Sequence, residues 1–150
     1  GISLLQKLPN IGTKAGAILL IISAVGTLAA GIFNTDPITT LPENITISGK
    51  IHSTAAGLLG FMILSTIFIT VQFYKQNIWR PYRKSMLILT AILWISELFL
   101  IGFMGYFLRD TNAVISADTP IGWPGRIVII LCAIWCYMCA NYIQKSEVPA

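Results

Sequence analysis

From Ala15 to Phe33, Ser53 to Tyr74, Met86 to Leu108 and Ile127 to Ile143 the chain runs apolar, and the first, second and fourth stretches carry no charge. The third carries one, Glu97. A helix rising ~1.5 Å per residue needs around 20 apolar residues to cross about 30 Å of hydrocarbon, and backbone groups there must bond within their own segment. The expected fold is all-α, a transmembrane four-helix bundle with these stretches as spans, in a single integral membrane domain over residues 1–150. A water-soluble helical core is the alternative, but four such stretches leave almost no amphipathic helix to form an outer shell.

Composition agrees, with 55% hydrophobic and 11% charged residues against roughly a quarter charged in soluble domains. The net charge of +4 does not indicate nucleic acid, because the cations lie between apolar runs and serve as orientation signals. Lys7, Lys14, Lys75, Arg80, Arg83, Lys84 and Lys145 fall on one side, and Lys50, Arg109 and Arg126 on the other, with Asp36, Glu43, Asp110 and Asp118. Seven against three places both termini in the cytoplasm and the protein in a cell membrane. No leader is expected ahead of the first span, and a start at Gly1 without Met fits a trimmed or partial form. Turns are expected at Asp36-Pro37, Leu41-Pro42 and Trp123-Pro124-Gly125, with Pro81 in a tight connection on the cytoplasmic side. Asn44-Ile45-Thr46 matches a glycosylation acceptor, a motif too short to carry weight.

Gly31-Ile32-Phe33-Asn34-Thr35-Asp36-Pro37 is followed by Gly49-Lys50-Ile51-His52 at the head of the second span, then by Gly125-Arg126 before a span containing Trp135. This pattern resembles a family of bacterial multi-pass membrane proteins catalogued as a domain of unknown function, number nine hundred and ninety-eight, here its C-terminal two-thirds. The Asp-Pro then Gly-x-x-His arrangement is the most specific part. The resemblance implies a membrane fold and a bacterial cytoplasmic membrane location; it brings no activity, cofactor or substrate.

Asp36, His52 and Arg126 all belong to the outer ends of spans. Neighbouring helix ends about 10 Å apart would let such side chains converge on an anionic head group, or let Asp36 tune His52 for proton transfer. The plainer reading is that Asp36 caps the first loop, His52 caps span two and Arg126 snorkels to lipid phosphate. Glu97 is the most anomalous residue, since a charge inside a span costs several kcal/mol unless neutralised or paired. Thr90, Trp94, Ile101 and Gly105 share its helical face by spacing. It is either a proton carrier and the polar floor of an outward-facing pocket, or packing glue bonded to a neighbouring helix.

Cys132, Cys136 and Cys139 share one helix face, where packing is a better account than thiolate ligation. A disulfide framework is not implied. A single histidine argues against a multi-imidazole metal or haem site, so neither metal nor cofactor is expected. Gly12 with Gly16, Gly26 with Ala30, and Ala56 with Gly60 form small-x-x-x-small pairs suited to close helix approach. P-loop, dinucleotide, metalloprotease and Ser-His-Asp signatures are missing.

The leading expectation is a membrane protein that binds or moves a lipid, small amphiphile or protons through a pocket lined by Asp36, His52, Glu97 and Arg126. A lipid head-group enzyme with His52 as general base, and a structural or accessory subunit, are the rivals. Expected partners are membrane lipids and other membrane subunits or a second copy. Inverted repeats and interrupted helices, which a transporter would favour, are not evident in the sequence.

Overall fold

The computed structural model describes residues 11–109 and 122–145; Lys7, Asp110 and Asp118 lie outside them. Four helical segments are long and apolar enough to cross a membrane: Ile11–Ile32, Ile47–Lys75, Asn77–Phe107 and Gly122–Lys145. No strand occurs among the described residues. The protein is an all-helical membrane protein with its spans where the apolar runs lie. The helices are α1 (Ile11–Ile32), α2 (Ile47–Gly57), α3 (Gly60–Lys75), α4 (Arg83–Leu108) and α5 (Gly122–Lys145). α2 and α3 together make the second span. A short 3-10 turn, Pro42–Asn44, lies before α2, and a second, Asn77–Tyr82, joins α3 to α4.

Helices begin earlier than the apolar runs because capping and first-turn residues are polar. Pro124, expected in a turn, lies inside the first turn of α5, where N–H groups have no helical acceptor and proline costs nothing. Pro81 likewise sits within the 3-10 connection.

The second span contains an interruption that hydropathy does not reveal. Leu58 and Leu59 donate their N–H groups to Ala55 and Ala56 at 3.1 and 3.0 Å, and Phe61 and Met62 donate to Leu58 and Leu59 at 3.1 and 2.9 Å. These are i to i−3 bonds, a tighter step between two α-helices of the kind that marks hinges. Gly26 of α1 lies against this step, where its missing side chain lets two backbones meet. A Cβ there would fall 2.6 Å from the Ala55 carbonyl oxygen and 2.5 Å from the Leu58 Cβ.

Packing follows chain order: α1 lies along α2 and α3, α3 along α4, and α4 along α5. The core runs through Ala17, Ile69, Phe73, Met86, Leu93, Val128, Cys132, Trp135 and Cys139, while Val25, Leu28, Ile95, Leu98, Phe99 and Ile129 are exposed on the outside, as lipid-facing side chains should be. Cys132 and Cys139 are buried free thiols and Cys136 is half-buried and free.

With lipid as solvent, apolar burial contributes little between helices, so hydrogen bonds and close packing must hold them. Thr70 of α3 and Thr90 of α4 share a hydroxyl bond of 2.7 Å, and the Trp135 indole of α5 donates to the same Thr90 oxygen at 2.8 Å. One turn along, Trp94 donates to Thr66 at 3.2 Å, and Thr66 donates to the Ile63 carbonyl at 2.7 Å. Thr90 is thus the shared node of three helices. Replacing it by valine keeps the shape and orphans the Trp135 N–H, which is expected to cost about 1–2 kcal/mol. Thr70→Val, which leaves Thr90 able to accept from Trp135, should cost less. Unfolding in mixed detergent micelles measures both, and equal costs would refute the shared-node account.

At the Lys75–Lys84 end, an aromatic cluster closes the bundle. Phe73 stacks on Trp79 at 4.5 Å and Tyr82 on Tyr142 at 4.3 Å, while Phe73 meets Tyr142 edge-on at 6.4 Å.

Candidate functional site

The end of the bundle opposite that cluster carries the α1–α2 connection, which holds Asp36 and His52. α1 finishes with Phe33 N–H bonded to the Ala29 carbonyl at 3.2 Å, and the carbonyls beyond have no helical donor. His52, in the second turn of α2, fills that gap. Its Nδ1 lies 2.8 Å from the Ala30 carbonyl and 2.9 Å from that of Phe33. Both partners only accept, so Nδ1 carries the hydrogen and donates to both, leaving Nε2 without a hydrogen bond among the described residues. His52 therefore caps the end of α1 from α2, rather than capping its own helix.

Asp36 performs the complementary task. Thr46 is the N-cap of α2, its hydroxyl accepting from Gly49 N–H at 3.0 Å. The same hydroxyl donates to the Asp36 carboxylate, 2.9 Å from Oδ1 and 3.1 Å from Oδ2, and the Thr46 N–H donates to Oδ2 at 2.8 Å. A carboxylate at this position also opposes the positive end of the α2 dipole. Gly49 is buried directly beneath it, and any Cβ there would overlap the Asp36 carboxylate. Ser48 adds a bond from its hydroxyl to the Asn34 carbonyl at 3.0 Å. Each helix end is thus closed by a residue from across the connection. Asp36 and His52 are brought to one junction, yet neither bonds the other.

Arg126 is exposed on the first turns of α5, with its guanidinium 5.5 Å from the centre of the Trp123 ring, a cation–π contact. Val128, two residues on, is buried, so helical spacing turns Arg126 to the outer face of α5.

Glu97 is half-buried on α4. Among the described residues it forms no hydrogen bond or ion pair. The inward stripe of α4 follows Met86, Leu93 and Leu100 at heptad spacing, all buried or half-buried, and Glu97 stands on its edge. Of the residues expected on its face, Thr90 is buried and Trp94 half-buried, whereas Ile101 and Gly105 are exposed. They lie further round the helix, beyond that edge. Depth follows from the Trp135–Thr90 bond. Glu97 is seven residues beyond Thr90, and Val128 is seven residues before Trp135; on antiparallel helices that is the same rise, about 10 Å. Glu97 consequently lies level with Val128 and Arg126, at the opening turns of α5. Neither Glu97 nor Arg126 is bonded to Asp36 or His52 among the described residues.

Thr46, Gly49, Ala30 and Phe33 complete the junction; the sequence named them only within other motifs, not as partners of Asp36 or His52. Thr46 directly before a helical run is a visible capping signal; the two carbonyls leave no sequence signal.

No curated protein and no solved structure matches the chain. A family described as "Protein of unknown function (DUF998)" matches residues 1–141, a stretch that takes in the α1–α2 junction, the threonine–tryptophan network, Glu97 and nearly all of α5. With all but the last nine of its 150 residues matched, the chain belongs to the DUF998 family.

Proposed function

We propose that this membrane protein binds a lipid or small amphiphile beside Glu97 on the α4–α5 side of the bundle, and that Glu97 exchanges the proton or hydrogen bond that fixes the ligand's polar head. One contrast carries the reading. Thr66, Thr70, Thr90, Trp94 and Trp135 all bond to one another or to backbone, while the half-buried carboxyl a turn further on has no such partner among the described residues. Ser65 Oγ is also buried without a partner among the described residues, but a carboxyl inside a span is far costlier to leave open, which suits it to a ligand. Its level with Arg126 and Trp123 supports a head group at that depth, with Arg126 beside an anionic group. The accessory-subunit reading asks for a Glu97 already bonded to another helix, and the enzyme reading for Asp36 and His52 turned to a common centre. Their engagement with separate helix ends favours neither. The excess of cations at the Lys75–Lys84 end supports a cell-membrane orientation with both termini in the cytoplasm, which we adopt.

Extraction and quantification of lipids co-purified at pH 6 and pH 8 test the proposal. Glu97→Leu is expected to lose about ten-fold of a specifically retained species, and Glu97→Gln to keep part of it without pH dependence. Identical lipid profiles for the parent and Glu97→Leu would sink it. Proteoliposomes loaded with a pH-sensitive dye read the proton arm, where a Glu97-dependent flux is expected if proton exchange is coupled to movement.

A further inference from the structure

The bundle's other end presents a cationic surface independent of the Glu97 site. Lys75 ends α3, Arg80 lies in the 3-10 connection and Lys84 lies in the first turn of α4, and all three are exposed. Lys14 and Lys145 are exposed at the same end. The described carboxylates are elsewhere: Asp36 and Glu43 at the opposite end, and Glu97 within α4. Lys75, Arg80 and Lys84 have no hydrogen-bond or ion-pair partner among the described residues.

The scaffold beneath them is held in place. Trp79, only 3% exposed, stacks on Phe73, and Tyr82 stacks on Tyr142. Arg83 is occupied by the end of α3, its Nε donating to the Phe73 carbonyl at 3.1 Å and Nη2 to the Gln76 carbonyl at 3.2 Å and Asn77 Oδ1 at 3.3 Å. One arginine therefore fixes the connection while the remaining three cations stay open. A preformed display of charge loses less conformational entropy on binding than a flexible one. Tyr74 and Ile78, within the same stretch, are 66% and 58% exposed.

We propose that the Lys75–Lys84 connection is a docking surface for the head group of an anionic phospholipid. The cations match its phosphate, and the exposed Tyr74 and Ile78 match the acyl chains attached to it, a combination that free phosphate lacks. The position at a bundle end puts both sets at the boundary between head groups and hydrocarbon.

The full chain is reconstituted in nanodiscs of phosphatidylcholine containing a minor share of phosphatidylglycerol, and the lipid retained on release is counted by native mass spectrometry. The parent is expected to enrich phosphatidylglycerol several-fold, and the combined Lys75→Gln, Arg80→Gln, Lys84→Gln variant to lose that enrichment. The charge-preserving set Lys75→Arg, Arg80→Lys, Lys84→Arg should retain it. Lys50→Gln, at the opposite end, should leave it unchanged, and rising salt should erode it. Should the glutamine set destabilise the fold, Arg80→Gln alone is read, with a partial loss expected. Undiminished enrichment in the glutamine variant, or in Arg80→Gln when that variant replaces it, overturns the proposal. So does an equal loss in Lys50→Gln, or displacement by millimolar inorganic phosphate, which would assign the surface to the free anion.

Discussion

A leucine at position 26 is expected to force α1 away from the second span and cost roughly 2–4 kcal/mol of bundle stability. Even the first added carbon would sit 2.5 Å from the Leu58 Cβ and 2.6 Å from the Ala55 carbonyl oxygen, and neither is the free end of a flexible side chain. The carbonyl is also tied into the 3-10 step through its bond to Leu58 N–H. Relief therefore requires movement of a helix. Gly31→Leu supplies the control, because a Cβ at Gly31 would meet nothing within 4 Å and the substitution should change stability by less than about 0.5 kcal/mol. Unfolding of both variants in mixed micelles gives the comparison. Equal stability would mean that the close approach at Gly26 does not exist.

The second large effect is expected at the α1–α2 junction. Gly49→Val places side-chain atoms where the Asp36 carboxylate stands, so the carboxylate must leave Thr46 and the cap of α2 must open. A loss of about 2–3 kcal/mol follows from overpacking together with the lost charge-assisted bonds. Asp36→Ala alone removes those bonds and should cost about 1–2 kcal/mol. The informative variant is the pair. With the carboxylate gone, valine has room, so the double substitution should cost clearly less than the sum of the two singles. Additive costs would show that Gly49 and Asp36 do not share one contact.

The spans were readable because hydropathy and length follow directly from the bilayer's thickness. Their details were not, and particular residues show why. The step at Leu58 and Leu59 lies inside an unbroken apolar run, and hydropathy carries no information about which carbonyl accepts which N–H; Gly57 and Gly60 are its only trace. Asp36 and His52 were assigned to one shared end and related by spacing, either as neighbours facing one pocket or as caps of the first loop and of span two. Their partners are instead Thr46 and two main-chain carbonyls, and main-chain acceptors are the same at every residue. The outward face of Arg126 was within reach of the sequence, since Val128, Cys132, Trp135 and Cys139 already trace the inward stripe of α5. Glu97 was marked as anomalous because it is the one charge within the four apolar runs. Its depth relative to α5 needed the Trp135–Thr90 bond, which fixes a register between helices that periodicity within one helix cannot supply.

The junction also bears on how such a chain is made. Its bonds join Asp36 to Thr46 and His52 to Ala30 and Phe33, reaching across 22 residues at most, and none draws on α4 or α5. The first helical hairpin can therefore be latched soon after α2 has left the ribosome, before the third and fourth spans are synthesised. Latching fixes which ends of the first two spans stay together, and the later spans, which depend on Thr66 and Thr70 of that hairpin's surface, then arrive at a template already set. A chain with an open latch should show its defect at insertion, as mixed topologies in the membrane, ahead of any loss in the finished bundle.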